Sequence, residues 1–309
     1  MKKLLCIVLL IAVLTSCAAA EAIRVAALKG PTAMGMVRMM DENNSEYAFS
    51  ISAAADEITP KLVKGEIDIA ALPANLASVL YNRTEGEIRV LAVNTLGVMY
   101  IAERGSSIAS VQDLAGKTIY TAGKGSVPEY ALNYILTANG LIPGEDVQIE
   151  FKAEHSECLS ALLSDESAAA MLPQPFITTA MTKAEDMRVA LDLTEEWDKL
   201  NSGSAMITGV VVARNEFIEE NPDAVEEFLG DYAESVEFTN ANVTEAAALV
   251  GKYDIVPAQV AEKAIPECNI VCISGEAMLG MLPGYLEALY EQAPEAVGGK
   301  LPDAEFYYH

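Results

Sequence analysis

The chain has 309 residues, 51% of them apolar and 21% charged, with a formal net charge of −25. That apolar share supports a packed core and excludes a disordered chain; about 290 residues remain once a leader is removed, enough for two domains. The negative field repels nucleic acid and anionic lipid and argues against a polyanionic ligand, although solubility alone accounts for most of the acidic residues.

The leader comes first. Lys2 and Lys3 precede an uninterrupted apolar run from Leu4 to Leu14, and Leu14-Thr15-Ser16-Cys17 reads as a lipobox. The run has the length of a signal-peptide core and is too short to span a bilayer. Residues 1–17 are therefore read as a lipoprotein signal with Cys17 as the site of lipid attachment. The alternative is an ordinary secretory signal cleaved at Ala18-Ala19-Ala20. Acyl chains on Cys17 would hold a soluble domain on the extracytoplasmic face of the cell membrane without a transmembrane helix. Cys158, Cys268 and Cys272 remain beyond the leader. Cys268 and Cys272 could pair or stay as buried thiols; their spacing is no metal signature without further ligands nearby.

Short apolar runs then alternate with helical patterns, the rhythm of βαβ units and of an α/β fold with mainly parallel sheets. Strands are expected at 23–28, 47–52, 67–72 and 89–94, with a short helix over 56–64 ended by Gly65. A further strand at 97–102 opens a second set: a capped turn at 110–116, strands at 117–122, 147–152, 168–172 and 188–192, and helices at 129–139 and 158–163. A long apolar strand at 207–213 runs back. Helices beginning near Asn221 and Asn242 follow, and a third spans 276–292. Residues 23–100 with 209–309 form lobe 1, and residues 101–208 form an inserted lobe 2. Two crossing strands between the lobes give a hinge architecture.

Three segments carry a resemblance: Leu62-Val-Lys-Gly-Glu-Ile-Asp-Ile-Ala-Ala-Leu-Pro73, Val111-Gln-Asp-Leu-Ala-Gly-Lys-Thr-Ile119 and Pro173-Gln-Pro-Phe176. With this layout, the chain resembles the substrate-binding lipoproteins of bacterial ABC importers, in the branch of nitrate, sulfonate and thiamine-precursor binders. The resemblance implies the two-lobe periplasmic-binding-protein type II fold. It implies a small-molecule ligand held between the lobes, an ABC permease with its ATPase as partner, no cofactor and a monomeric receptor. Relatives often carry an acidic residue where this chain has Gln174.

The residues point to a cleft independently. In open α/β sheets ligands sit beyond the carboxyl ends of the strands, where helix N-termini point. The turns 29–35, 53–57, 73–75 and 123–126 occupy such places. Thr32 and Ser126 can donate hydroxyls to an anion or act as helix caps. Lys124, beside Gly125, can pair with that anion or stay solvated, and Lys29 adds a second positive charge. Asn75 and Gln174 can both donate and accept. Thr95 and Thr208 lie near the crossings, and face the cleft or satisfy hinge backbone. Asp56, with Glu57, could meet an amine. Ala33 and Met34 follow Thr32 in the first turn, and Met34, Met99 and Met171 could line an apolar part of the cleft or pack in the core. The expected ligand is a carboxylate, a sulfonate or a zwitterion.

Only two histidines occur, His155 and His309. No nucleophilic triad or metal set is legible, so catalysis is not expected. Alternatives to the importer are a binding subunit feeding a membrane sensor and an enzyme of the same fold acting on a small heterocycle.

Overall fold

The computed structural model describes residues 22–42, 45–182, 184, 186–200 and 203–309. The leader and Cys17 lie outside the described residues. In chain order the strands are β1 (Ile23–Leu28), β2 (Tyr47–Ser52), β3 (Ile69–Pro73), β4 (Ile88–Leu96), β5 (Met99–Arg104), β6 (Thr118–Thr121), β7 (Gln148–Phe151), β8 (Ala169–Pro173), β9 (Met187–Asp192), β10 (Ile207–Arg214) and β11 (Ile270–Ser274). One sheet has the order β11-β4-β10-β3-β1-β2 and the other β7-β6-β8-β5-β9.

Both sheets follow one plan. β1 pairs in parallel with β2 and β3, and β6 pairs in parallel with β7 and β8. Reversed strands then enter each sheet: β10 is antiparallel to β3 and β4, and β5 is antiparallel to β8 and β9. β11 is antiparallel to β4. The two flanked sheets are as expected: in each, four strands run the same way, and the reversed strands make the hydrogen-bonded pairing mixed. The reason is topological. A strand arriving from the other lobe enters where the parallel strands end, so it must run against them. The register shows this, with Met99 opposite Pro173 at the end of β8 and Ile207 opposite Leu96 at the end of β4.

Consequently, both crossings join the carboxyl edges of the two sheets. Only Gly97 and Val98 separate β4 from β5, which holds those strand ends within about 11 Å of each other. Residues 193–206 make the return crossing. The lobe boundaries drawn at 100 and 208 fall inside β5 and β10, beside these crossings. The two crossings pass in contact: a Cβ on Gly97 would lie 2.2 Å from Thr194 Oγ1.

Central strands read as continuous apolar runs because helices cover both faces. β3, β4 and β10 are buried almost throughout, whereas the edge strand β7 alternates. On one face of the lobe 1 sheet, Ala26, Leu72, Val93 and Val210 join a core that continues into lobe 2 through Met99, Ile101 and Met171. On the other face, Val25, Ala71 and Val211 pack with Phe228 and Tyr232 of helix Pro222–Ala241. The return crossing is anchored by Trp197, fully buried between Tyr134 at 4.4 Å and Tyr285 at 5.6 Å, centroid to centroid. The helix expected over 276–292 is two, Gly275–Leu279 and Leu282–Gln292, because Pro283 cannot continue a preceding helix.

Candidate functional site

The turns selected from sequence all follow strands at the facing edges. Residues 29–35 follow β1, 53–57 follow β2, 73–75 follow β3 and 123–126 follow β6. The 173–176 loop follows β8 and crosses to the hinge, with the Gln174 N–H donating 2.8 Å to the Val98 carbonyl. The topology thus brings these backbones to the facing carboxyl edges of the two sheets. The side chains divide into those that can reach a ligand and those committed elsewhere.

Gln174 remains available. It is 6% exposed, and its Oε1 accepts from the Thr178 hydroxyl at 2.8 Å, which orients the amide and leaves Nε2 to donate. Thr208 is half-buried at a bulge: Ile207 and Gly209 face adjacent residues of β4, Leu96 and Thr95, so Thr208 is the extra residue. Asp56 is exposed in the 3₁₀ turn Ala55–Glu57. Lys124 is exposed, with its ammonium 5.6 Å from the Phe151 ring centroid.

Other candidates are engaged within the fold. Ala33 and Met34 are fully buried in the lobe 1 core, as is Met171 in the shared core, and Met99 is buried. These apolar groups are held by packing and present no side chain to a ligand. Thr95 is fully buried, its hydroxyl donating 3.1 Å to Asn94 Oδ1; it serves the hinge strand rather than the cleft. The Thr32 hydroxyl turns back to the Leu28 carbonyl at 2.9 Å. Asn75 donates 3.2 Å to the Ala296 carbonyl and braces the C-terminal segment. Lys29 is paired with Asp254 at 2.6 Å.

The 123–126 loop is occupied from within. The Ser126 hydroxyl donates 2.5 Å to the Gly123 carbonyl, and the Gly125 N–H donates 2.6 Å to Glu129 Oε2. A carboxylate of the chain itself already sits where an anion would. A ligand anion on this loop must displace Glu129 or bind beside it.

A cavity of about 690 Å³ lies between the lobes. Lobe 2 lines it with Tyr100, Gln174, Thr178, Asp192 and Glu195, and the segment before β11 with Lys263 and Glu267. Of the residues chosen from sequence only Gln174 lines it. The Tyr100 hydroxyl donates 2.7 Å to the Glu267 carbonyl, tying the two lobes across this cavity. Burial pushes the Tyr100 phenol well above its ordinary range, so this donor stays protonated. Sequence reading missed Tyr100 and Asp192 because each lies in an apolar strand pattern; their position at the strand ends beside a crossing was the available signal.

His155 is half-buried, its ring 5.7 Å from Phe176, and desolvation lowers its pKa. Among the described residues no group of three or more His, Cys, Asp or Glu side chains could hold a metal ion. Cys158, Cys268 and Cys272 are all free.

Two α/β lobes, joined by two crossings at facing carboxyl edges, define the bilobal solute-binding architecture. A family model for the periplasmic substrate-binding protein of phosphonate ABC transporters matches residues 37–262, which span both lobes and both crossings. The chain belongs to that family. Binding proteins of Brucella abortus (strain 2308) and Brucella suis biovar 1 (strain 1330) are each 27% identical over 207 residues, 64% of this chain and 62% of theirs. The chain thus matches less than two thirds of these relatives' length. Among solved structures, an ABC transporter protein of Parabacteroides distasonis superposes with a TM-score of 0.77 at 24% identity, covering 94% of this chain and 99% of that one. The periplasmic aliphatic sulphonate-binding protein SsuA of Escherichia coli gives 0.72 at 19%, covering 94% and 92%. The periplasmic nitrate-binding protein NrtA of Synechocystis gives 0.54 at 13%, covering 78% and 68%. The sequence-based resemblance is borne out at the level of family and fold.

Proposed function

We propose that this protein is an extracytoplasmic solute receptor. It binds a small molecule between its two lobes and delivers it to an ABC-type import permease driven by its ATPase. The observation that supports this best is the family match running unbroken through both lobes and both crossings. The ligand is a small oxyanion, in the class of phosphonates, sulfonates and carboxylates, or a zwitterion bearing such a group. The family model concerns phosphonate, and two structural neighbours bind sulphonate and nitrate. Gln174 and the exposed Lys124 are the side chains that would meet it, with backbone of the 29–35, 73–75 and 123–126 turns. Thr208 and Asp56 stand at the rim. The receptor acts as a monomer without a cofactor, performs no catalysis, and is tethered to the membrane through lipid on Cys17.

A thermal-shift panel of methylphosphonate, methanesulfonate, small carboxylates and amino-substituted versions tests the ligand class. A ligand at a hundredfold excess over Kd adds about 2.7 kcal/mol, a rise of roughly 5–10 °C. Hydrogen exchange with the same ligand should protect both facing edges together. Binding confined to one lobe would refute the receptor mechanism, since a ligand favours closure only if it contacts the closed form better than the open one.

A further inference from the structure

We infer that Asn94 is a positioning residue for the lobe 1 ligand loop, residues 30–35, and that Gly209 makes room for it; this rests on the cleft reading above. The loop contains one helical turn, Pro31–Met34, whose N-cap Gly30 has no side-chain cap. A single turn does not hold itself in water, because nucleation fixes several residues for one hydrogen bond. Its shape must therefore be imposed from outside.

A buried amide imposes it. Asn94 Nδ2 donates 3.2 Å to the Thr32 carbonyl, and the Thr239 hydroxyl, whose proton is shared with the nearer Ser235 carbonyl at 2.8 Å, adds a weaker contact at 3.3 Å to the Met34 carbonyl. Both Asn94 and Thr239 are fully buried. The Asn94 amide cannot turn freely, because its Oδ1 accepts from the Thr95 hydroxyl at 3.1 Å. β10 closes the other side. A Cβ on Gly209 would stand 2.4 Å from Asn94 Oδ1 and 2.7 Å from Thr32 Cγ2, closer than real Cβ contacts come. Any larger residue at 209 must displace the Asn94 amide, Thr32 itself or both.

The places of these residues give the arrangement its meaning. Asn94 lies three residues before Gly97, on the outgoing hinge strand β4. Gly209 lies at the start of the returning hinge strand β10, opposite Thr95. Both hinge strands thus bear on one ligand loop, β4 through the Asn94 amide and β10 against that amide and Thr32. A change in how β4 and β10 sit reaches the loop, and a ligand that fixes the loop biases the hinge by the same free energy. Thr239 braces the same turn from helix Pro222–Ala241, which is not part of either crossing.

The test is a double-mutant cycle read by amide hydrogen exchange in the ligand-free, leader-processed protein. Asn94→Ala and Gly209→Ala should each speed exchange at Thr32–Gly35 by about tenfold, with β1 and β3 unchanged. Combined, they should fall well short of the product of the two single effects, because the clash with the Asn94 amide is removed while that with Thr32 Cγ2 remains. Thr239→Val should multiply with Gly209→Ala instead. Multiplying effects in the Asn94→Ala/Gly209→Ala pair, or exchange raised across all of lobe 1, would overturn the proposal. In calorimetric titrations with methylphosphonate and methanesulfonate, Asn94→Ala should weaken whichever binds by about tenfold. Unchanged affinity with a loosened loop would also overturn it. If the unaltered protein binds neither probe, the ligand class fails, and the exchange cycle alone decides the role of Asn94.

Discussion

Asp68→Ala should destabilise the protein without touching the cleft. Asp68 precedes β3 at the sheet edge opposite the crossings, and its carboxylate is 6% exposed. It accepts from Arg24 Nε at 2.8 Å, Arg24 Nη2 at 2.6 Å, the Arg24 backbone N–H at 3.0 Å and Arg214 Nη2 at 3.1 Å, tying β1, β3 and β10. Removing one partner of a buried pair costs about 3–5 kcal/mol. The lower figure applies, because Arg24 is 37% exposed and water recovers part of the loss. About 3 kcal/mol corresponds to a fall in melting temperature of roughly 6–12 °C. Burial works to raise the Asp68 pKa, but the Arg24 and Arg214 donors outweigh it and hold the carboxyl below its ordinary value. A depressed folded pKa stabilises fully above the unfolded value and is lost as pH falls through the folded one. The gap between the two proteins should therefore be full at pH 7 and narrow below about pH 4. Differential scanning calorimetry across pH measures it, with ligand affinity as control. A gap under about 2 °C at pH 7, or one unchanged at pH 3, would refute the reasoning.

Other outcomes follow from the same structure. Trp197 is the sole tryptophan and sits between Tyr134 of lobe 2 and Tyr285 of the C-terminal helix. Its emission should shift on adding a ligand that closes the lobes, and a proven ligand that leaves it unchanged would count against hinge motion at this crossing. Burial pushes the Cys158 and Cys272 thiols up to about 11 and Cys268 up to about 12. Ellman's reagent at pH 8 should find all three thiols only after denaturation, without prior reduction; finding one would reveal a Cys268–Cys272 bond. Gly97→Ala places a methyl 2.2 Å from Thr194 Oγ1 and 3.0 Å from Met206 Sδ. It should cost about 1–3 kcal/mol by denaturant titration, with Thr194→Ala restoring part of it, and no cost would mean the crossings part easily. Cys17→Ala should release the protein from membranes with ligand affinity intact, and loss of affinity would refute separation of anchor from receptor.

The strands were legible where apolar runs were bounded by turn residues. β1, β2 and the start of β10 fall at the residues expected, because their neighbours break the pattern sharply. β11 was not expected as a strand: its pairing is with β4, far away in sequence. The parallel rhythm was legible, but the reversed insertion of β5 and β10 was not, because strand direction depends on which lobe the chain comes from. At the cleft the turns were found, since turn chemistry is local. Which side chains they offer was not legible at Thr32, Asn75, Thr95 and Ser126, where ligand contact and a structural role had both stood open. Thr32, Thr95 and Ser126 are spent on partners one to four residues away, a local alternative their sequence left open, whereas the partner of Asn75, the Ala296 carbonyl, is brought within reach only by the folded chain.

The two lobes repeat one design at both ends, and this bears on how they move. Opposite the cleft, Asp68 braces lobe 1, and Glu103 takes the equivalent place in lobe 2. Glu103 is 1% exposed, accepts from Arg188, and receives the Ser107 and Ile108 N–H groups. Burial alone would raise its pKa; those donors overcome it, so the carboxylate stays ionised and the brace intact at neutral pH. Rigid far edges leave the junction between the sheets, at Gly97 and Val98 and around Trp197, as the place where the lobes meet. There the packing is finer than the sheet interiors require: a missing side chain at Gly97, the Tyr100 hydroxyl reaching Glu267, and Trp197 wedged between two lobes' tyrosines. A binding protein that held its ligand in one rigid pocket would gain nothing from such contacts at the junction. A receptor whose ligand must bias the junction needs them there.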